Sequence, residues 1–479
     1  MKSWTTSLLR ISAVASFSFS ALGMGTLHAQ EQQEENSKPK PAAHAPIIDY
    51  NEPDTTTDPN ALSPDTTPLT GVQTPGLGSA EFRHSYWVPG IQVGNTAQSG
   101  RGGGDWTDTT YLAGNVSLLE AWSHSHLALN YSGGGYFSTG RGFQSSQGSH
   151  SNGSYQQLGF TQSFDWQRWQ LQFFDEFAYL PTTQFGFGGL SGIGVPGIGG
   201  SLAPGSPGLG GTFVPNQSVL ITNGPRYSNS FAAQANFAMS ARSSITLVAS
   251  YGILRFVDPG NIDNDDEIGS IGYNYAISRK DTVGVLYRFT AYHFTGLPQA
   301  IGDHVFNVAY SRKVTGRVAI SLFGGPEFTT FRIPIGTKTD RIGESFGASL
   351  SYAFKHGGMT FGYTHGTSGG SGVLAGARGD LADASVTRQL SRLWSARGNF
   401  GYGRNHAFTP SGVSGPAFNS FYLGAGLDRP LGRKANLSLG YTAYILALNQ
   451  AACASCSSTS TQHQFAIGFQ WHTRPFVLH

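Results

Sequence analysis

The chain has 479 residues and a formal net charge of +2, with 12% charged residues, 13% aromatic residues and 65 glycines. So small a charged fraction argues against an ordinary soluble domain, and near-neutrality gives no electrostatic case for nucleic acid as a partner. Beyond the N-terminal region no stretch approaches 18 continuous apolar residues, which excludes a helical membrane protein.

Residues 1–29 have the pattern of a secretory signal peptide. Lys2 and Arg10 supply the positive region, Ile11 to Gly25 is apolar, and Ala29 is a plausible cleavage point. No cysteine follows to mark a lipoprotein. Residues 30–81 change character: EQQEENSKPKPA is polar and charged, and the rest is rich in Pro, Thr and Asp. Such a segment buries too little apolar surface to offset the entropy of ordering it. It is expected to be a disordered periplasmic tether, too short for a folded plug.

From residue 82 a unit repeats in which apolar residues alternate with small or polar ones. Tyr227 to Ser240 shows it plainly. Tyr227, Phe231, Ala233, Ala235, Phe237 and Met239 share one face, while Ser228, Ser230, Gln234, Asn236 and Ser240 share the other. Period two means a strand with one apolar and one wet face. Strands are predicted at 83–95, 109–122, 124–137, 153–166, 167–180, 227–240, 243–256, 267–279, 281–294, 301–312, 316–329, 342–354, 358–367, 377–390, 393–405, 417–428, 434–447 and 461–472. Between them short connections alternate with longer ones. The fold class that follows is all-β: a single closed antiparallel transmembrane β-barrel of 16–18 strands over residues 82–472, with a C-terminal tail at 473–479. Short turns belong to the periplasm and long loops to the cell surface.

The longest connection, about 181–226, is nearly all Gly, Ser, Pro, Leu and Phe. It either folds inward to narrow the pore or shields the barrel mouth. The short turns are basic, as with Arg168, Arg242, Lys355 and Arg392, which suits contact with phosphates of the inner leaflet. The run from Asp258 to Glu267 is acidic. Asp258, Asp263, Asp265, Asp266 and Glu267 are candidate oxygen ligands for a divalent cation at lipopolysaccharide, although the spacing is not that of an EF-hand. Cys453 and Cys456 are candidates for a small disulfide in a surface loop. Gly366 to Gly370 matches G-x-S-x-G beside His365, but that motif needs a strand–turn–helix elbow. Catalysis is not expected, and no cofactor is implied.

Strand parity puts Glu176, Gln234, Asn236, Arg288, Arg317, Arg397 and Asn399 among the pore-lining candidates. Amides and small residues dominate, and the arginines suggest mild anion preference. The last strand, QHQFAIGFQWH, places Phe465, Ile467, Phe469 and Trp471 on one face. It resembles the aromatic-ended final strand of outer-membrane proteins, which the barrel-insertion machinery reads. The tail TRPFVLH departs from the usual terminal Phe.

With this strand the whole region resembles a porin-like outer-membrane β-barrel of a Gram-negative-type bacterium. The resemblance implies location in the outer membrane, lipid and lipopolysaccharide as surroundings, and trimers for many general porins. The expected function is a weakly selective channel for small polar solutes. Two rival readings are an export channel for a secreted polysaccharide and a structural or adhesive barrel with a blocked lumen.

Overall fold

In the computed structural model, eighteen long strands form one antiparallel sheet that closes on itself. The residues described are 68–72, 85–99, 106–140, 152–180, 186–187, 219–220, 225–257, 261–297, 299–332, 338–370, 374–408, 417–448 and 459–478. In chain order the wall begins with β1 (Tyr86–Ser99), β2 (Trp106–Ala121), β3 (Ser125–Gly140), β4 (Asn152–Asp165) and β5 (Trp169–Leu180). A two-residue pair, β6 (Gly186–Phe187) and β7 (Val219–Leu220), interrupts it. The wall resumes with β8 (Arg226–Ser240), β9 (Ser243–Phe256), β10 (Asn264–Ala276), β11 (Asp281–Phe294), β12 (Ala300–Thr315) and β13 (Val318–Arg332). It finishes with β14 (Lys338–Phe354), β15 (Gly357–Gly370), β16 (Ala375–Gln389), β17 (Ser395–Ala407), β18 (Ala417–Pro430), β19 (Ala435–Leu448) and β20 (Thr459–His472).

Each strand pairs with its neighbour in the chain, and β1 closes the ring on β20 from Gly90 opposite His472 to Gln98 opposite Gln464. Closure matters because a bilayer offers no water to an unpaired strand edge. Pro89 sits in β1 at the seam. Its carbonyl accepts the Thr473 N–H at 3.0 Å, so its missing donor faces the point where β20 pairing ends and costs only a last rung. The tail is not a free end: β21 (Phe476–Val477) pairs with Tyr86 and Trp87, and Phe476 stacks on Trp87 at 4.9 Å.

Period-two alternation gives the wall two chemistries. Leu112, Leu247, Ile271, Val308, Leu322 and Leu423 stand exposed on the outside, while Asn130, Gln234, Thr246, Ser270, Asn307 and Gln464 are buried on the inside. An apolar outside with a polar inside is the arrangement of a barrel in a bacterial outer membrane. At the short-turn end Trp122, Trp166, Trp169 and Trp471 are exposed, and Arg429 lies 5.2 Å over the Trp394 ring. This is the aromatic belt of the membrane–water boundary.

Two sequence expectations change here. The acidic run is mostly strand, since β10 already begins at Asn264. Alternation then separates Asp265 and Glu267 from Asp266, which is buried on the lumen side. Arg255 takes Asp265 in two contacts of 2.6 and 2.7 Å, and Asp263 accepts the Phe256 N–H at 2.9 Å. Burial pushes the Asp263 carboxyl above its ordinary range. The four carboxylates that are described, Asp263, Asp265, Asp266 and Glu267, therefore diverge, and among the described residues no cluster suited to a metal forms. Asp258 lies outside the described residues, as do Cys453 and Cys456. Arg317 is the second correction. β12 runs on to Thr315 and β13 starts at Val318, which leaves Arg317 exposed in the turn rather than in the lumen.

Candidate functional site: the lumen and its inserts

The inner wall is built from side-chain amides and hydroxyls linked across strands. Asn236 donates to Gln170 at 3.0 Å, and Gln234 donates to Gln172 at 3.2 Å. These pairs join β5 and β8 on the lumen side, where Glu176 also points. In the neighbouring strands β1, β3 and β4, Gln92 donates to Ser132 and to the Tyr155 hydroxyl at 3.1 and 3.0 Å. Arg397 and Asn399 share the lumen face of β17, and Arg397 lies 3.5 Å from Asp428. Arg288 of β11 lies near Asp303, which in turn neighbours Glu327. Neither lumen arginine named in the sequence is therefore a lone cation.

Carboxylates and aromatic rings are the part of the lumen that parity alone underweighted. Asp266, Asp303 and Glu327 are buried along β10, β12 and β13. Tyr111, Tyr136 and Tyr155 pack together, with ring centroids about 6 Å apart, and Tyr422 stacks on Tyr444. The signal was present as aromatic and acidic residues at lumen positions of successive strands.

Two pieces of chain leave the wall for the interior. The first is the tip of the β15–β16 hairpin. β14 pairs with β15 only as far as Phe346 opposite His365, although β13 accompanies β14 to Lys338. Residues 366–370 therefore separate from β14 while staying paired with β16. Glu327 accepts the Thr367 N–H at 2.9 Å. The Thr329 hydroxyl donates to Asp303 at 2.9 Å and lies 3.2 Å from the Thr367 hydroxyl. Gln299 donates to the Ala375 carbonyl at 2.7 Å.

Apolar contacts hold this tip from both sides. Ala375 packs against the buried cluster of Phe294, Ile301 and Phe331 from β11 to β13. Leu374 and Ala377 pack against Phe418, Tyr422, Tyr444 and Leu446 of β18 and β19. Those aromatic and aliphatic residues occupy lumen positions of the wall, so the tip forms a shelf inside the barrel at the long-loop end.

The G-x-S-x-G match lies on this shelf. Ser368 donates to the Ala377 carbonyl at 3.3 Å, and His365 pairs with Asp380 at 2.8 Å beside Phe346. The segment is a strand hairpin, not a strand–turn–helix elbow, so the geometry that would activate a serine nucleophile is missing from it. The Gly-rich connection contributes β6 and β7. This pair lies close to β17 and β18, on the opposite side of the barrel from the β5 and β8 ends that carry it.

The second insert is Pro68 to Val72, within the stretch expected to be tether. Thr70 and Val72 are buried against the lumen wall. The Thr70 N–H donates to Asn274 at 3.0 Å and the Val72 N–H donates to Gln234 at 2.6 Å.

No family model and no curated protein matches the chain. Among solved structures it is similar to Pseudomonas aeruginosa OpdQ, at 10% identity and a TM-score of 0.42, covering 82% of this chain and 100% of that one. It is similar to P. aeruginosa OpdK with vanillate at 10% identity and a TM-score of 0.40, covering 81% and 99%. For Acinetobacter baumannii OccAB1 the values are 9%, 0.41, 81% and 96%. At this distance nothing about a solute passes from those proteins to this chain.

Proposed function

We propose that the protein is an outer-membrane channel for small polar solutes, with neutral and cationic solutes favoured over anions. The observation that carries this reading is the charge of the inner wall. Among the described residues, strand register turns Asp165, Glu176, Asp266, Asp303, Glu327, Asp383 and Asp428 inward, against Arg226, Arg288, Lys313, Arg341 and Arg397. An acidic lining raises the local concentration of cations and lowers that of anions. An eighteen-strand wall encloses more space than its own side chains fill, and the inserts reduce that space without changing its sign. This replaces the anion preference that Arg288, Arg317 and Arg397 suggested, because two of them have carboxylate neighbours and the third is outside the lumen.

The test is reversal potential in a planar bilayer across a KCl gradient. The expected result is a stable conductance with potassium more permeant than chloride. Chloride selectivity would remove the charge argument. The apolar packing on both sides of the shelf favours one rival, a barrel with a blocked lumen. Silence of the intact protein, and of a variant lacking residues 366–377, would select it.

A further inference from the structure

The inner surface of β5, β8, β9 and β10 is mostly polar, with an apolar patch near its middle. There Phe174, Ala232, Val248 and Ile268 form a buried apolar cluster, and Val72 completes it at 1% exposure. Exposed apolar wall would be unfavourable in a watery lumen, so the patch makes sense only when something covers it. The cover is a tight turn closed by the Gly71 N–H on the Pro68 carbonyl at 3.0 Å.

The wall is shaped and oriented for that turn. Asn274 offers its carbonyl to Thr70 while its amide nitrogen is held by Thr246 at 3.1 Å. Gln234 offers its carbonyl to Val72 while its amide nitrogen is held by Gln172. Both acceptors are thus fixed before the peptide arrives, which lowers the entropy cost of taking it. β10 and β11 carry Gly272 and Gly284 beneath Thr70. A Cβ on Gly272 would collide with the Thr70 side chain, and one on Gly284 would lie 3.0 Å from its Cγ2. Glycine inside a strand marks a place where other backbone comes close.

We propose that this patch is a peptide-binding cradle within the channel, that residues 68–72 are its resident self-ligand, and that the bound strap narrows the pore. The last part rests on the channel reading. The first two do not. The ligand class is a short peptide turn with two N–H donors two residues apart and a branched apolar side chain beside the second. A tethered strap acts at an effective concentration in the millimolar range, so a free peptide of the same sequence competes poorly while the strap is in place.

Two variants release the strap: deletion of residues 66–74, which leaves the cradle intact, and Gly272→Val, which keeps the whole chain but sets a β-branched residue where Thr70 lies and so closes the cradle. A fluorescent peptide carrying residues 64–76 is titrated into each refolded barrel and followed by anisotropy. Saturable binding is expected to the deletion variant, about tenfold or more tighter than to the intact protein, whereas the same peptide is expected not to bind Gly272→Val, and a Val72→Asp peptide is expected to bind neither. In the bilayer both variants conduct more than the intact protein, and added peptide reverses the gain in the deletion variant alone. Absence of peptide binding to the deletion variant overturns the cradle, as does equal binding of the peptide to Gly272→Val or equal binding of the Val72→Asp peptide. Peptide binding without conductance in any form keeps the cradle and removes the channel. Conductance that is unchanged on strap release removes the narrowing role.

Discussion

Strand β12 is bonded along both edges, to β11 from Asp281 opposite Arg312 to His293 opposite Ala300, and to β13 over almost its full length. The strap from Pro68 to Val72 holds to the same barrel through two side-chain carbonyls and one apolar side chain. The shelf, residues 366–370 with 374–377, is intermediate. It keeps its ladder to β16 but exchanges β14 for Glu327, Thr329 and two apolar clusters. The energies follow the same order. A closed ladder opens only as a whole, since a single freed strand would leave unpaired backbone groups in lipid. An insert held by a few side-chain contacts opens by itself at a small fraction of that cost. The wall can therefore stay rigid while the lumen changes shape.

The contrast breaks first at the lipid face. Val308 stands 63% exposed near the middle of β12, so Val308→Arg is expected to cost about 2–4 kcal/mol in vesicles, as a cation at the bilayer midplane does. Urea unfolding from vesicles measures it. The same change at lumen-facing Asn399 is expected to cost little and to shift the reversal potential toward chloride. If the two substitutions cost the same, the assignment of faces fails. Next in size is the shelf. Glu327 is buried and accepts the Thr367 N–H, so Glu327→Ala is expected to cost about 1–3 kcal/mol. Because the loss falls on the insert, the bilayer record is expected to show new transitions to a larger conductance.

The wall was legible in the sequence because each strand repeats a two-residue rule and the rule carries across the turns. The later strands follow from it, while β1, interrupted by Pro89, follows from the even strand number of a single-chain barrel and the alternation of short and long connections; the seam explains the proline. Where a strand leaves the bilayer the rule loses its contrast. β10 was expected from residue 267 because Asn264, Asp265 and Asp266 have no apolar partner face, and Arg317 was given to a strand that starts at Val318. The inserts obey no period at all. Pro68 to Val72 is one more piece of a Pro- and Thr-rich run, and its only trace lies in the wall. Gly272, Val248, Ile268 and Phe174 are small or apolar at positions where parity calls for polar residues. The shelf left a similar trace in Phe331, Phe418 and Leu446.

A smaller effect sharpens the strap. Gln234→Ala and Asn274→Ala each remove one acceptor for a strap N–H, and each is expected to cost about 0.5–1.5 kcal/mol of strap docking. Barrel unfolding should hardly register either, because Gln234 and Asn274 bond to the wall only through neighbouring side chains. Protease access to residues 66–74 is the suitable readout. Cleavage in the folded barrel should quicken roughly in proportion to the fraction of open strap. A variant that unfolds the barrel without quickening cleavage would mean that these amides serve the wall instead.

The smallest expected effect concerns the boundary of the wall itself. Arg429 lies over Trp394 at the short-turn end, where a half-buried cation–π pair is worth about 1 kcal/mol. Arg429→Gln keeps the length and polarity of the side chain while removing the charge. It should lower barrel stability by about that amount in neutral vesicles, and by more in vesicles containing anionic lipid, because a basic residue near an anionic surface adds about 1 kcal/mol. Trp394→Phe should weaken the ring contact without the lipid-dependent part. Together the two variants separate attraction to the ring from attraction to the headgroups. If Arg429→Gln costs the same in both kinds of vesicle, the basic turns do not engage phosphate, and the ring contact alone accounts for the arginine.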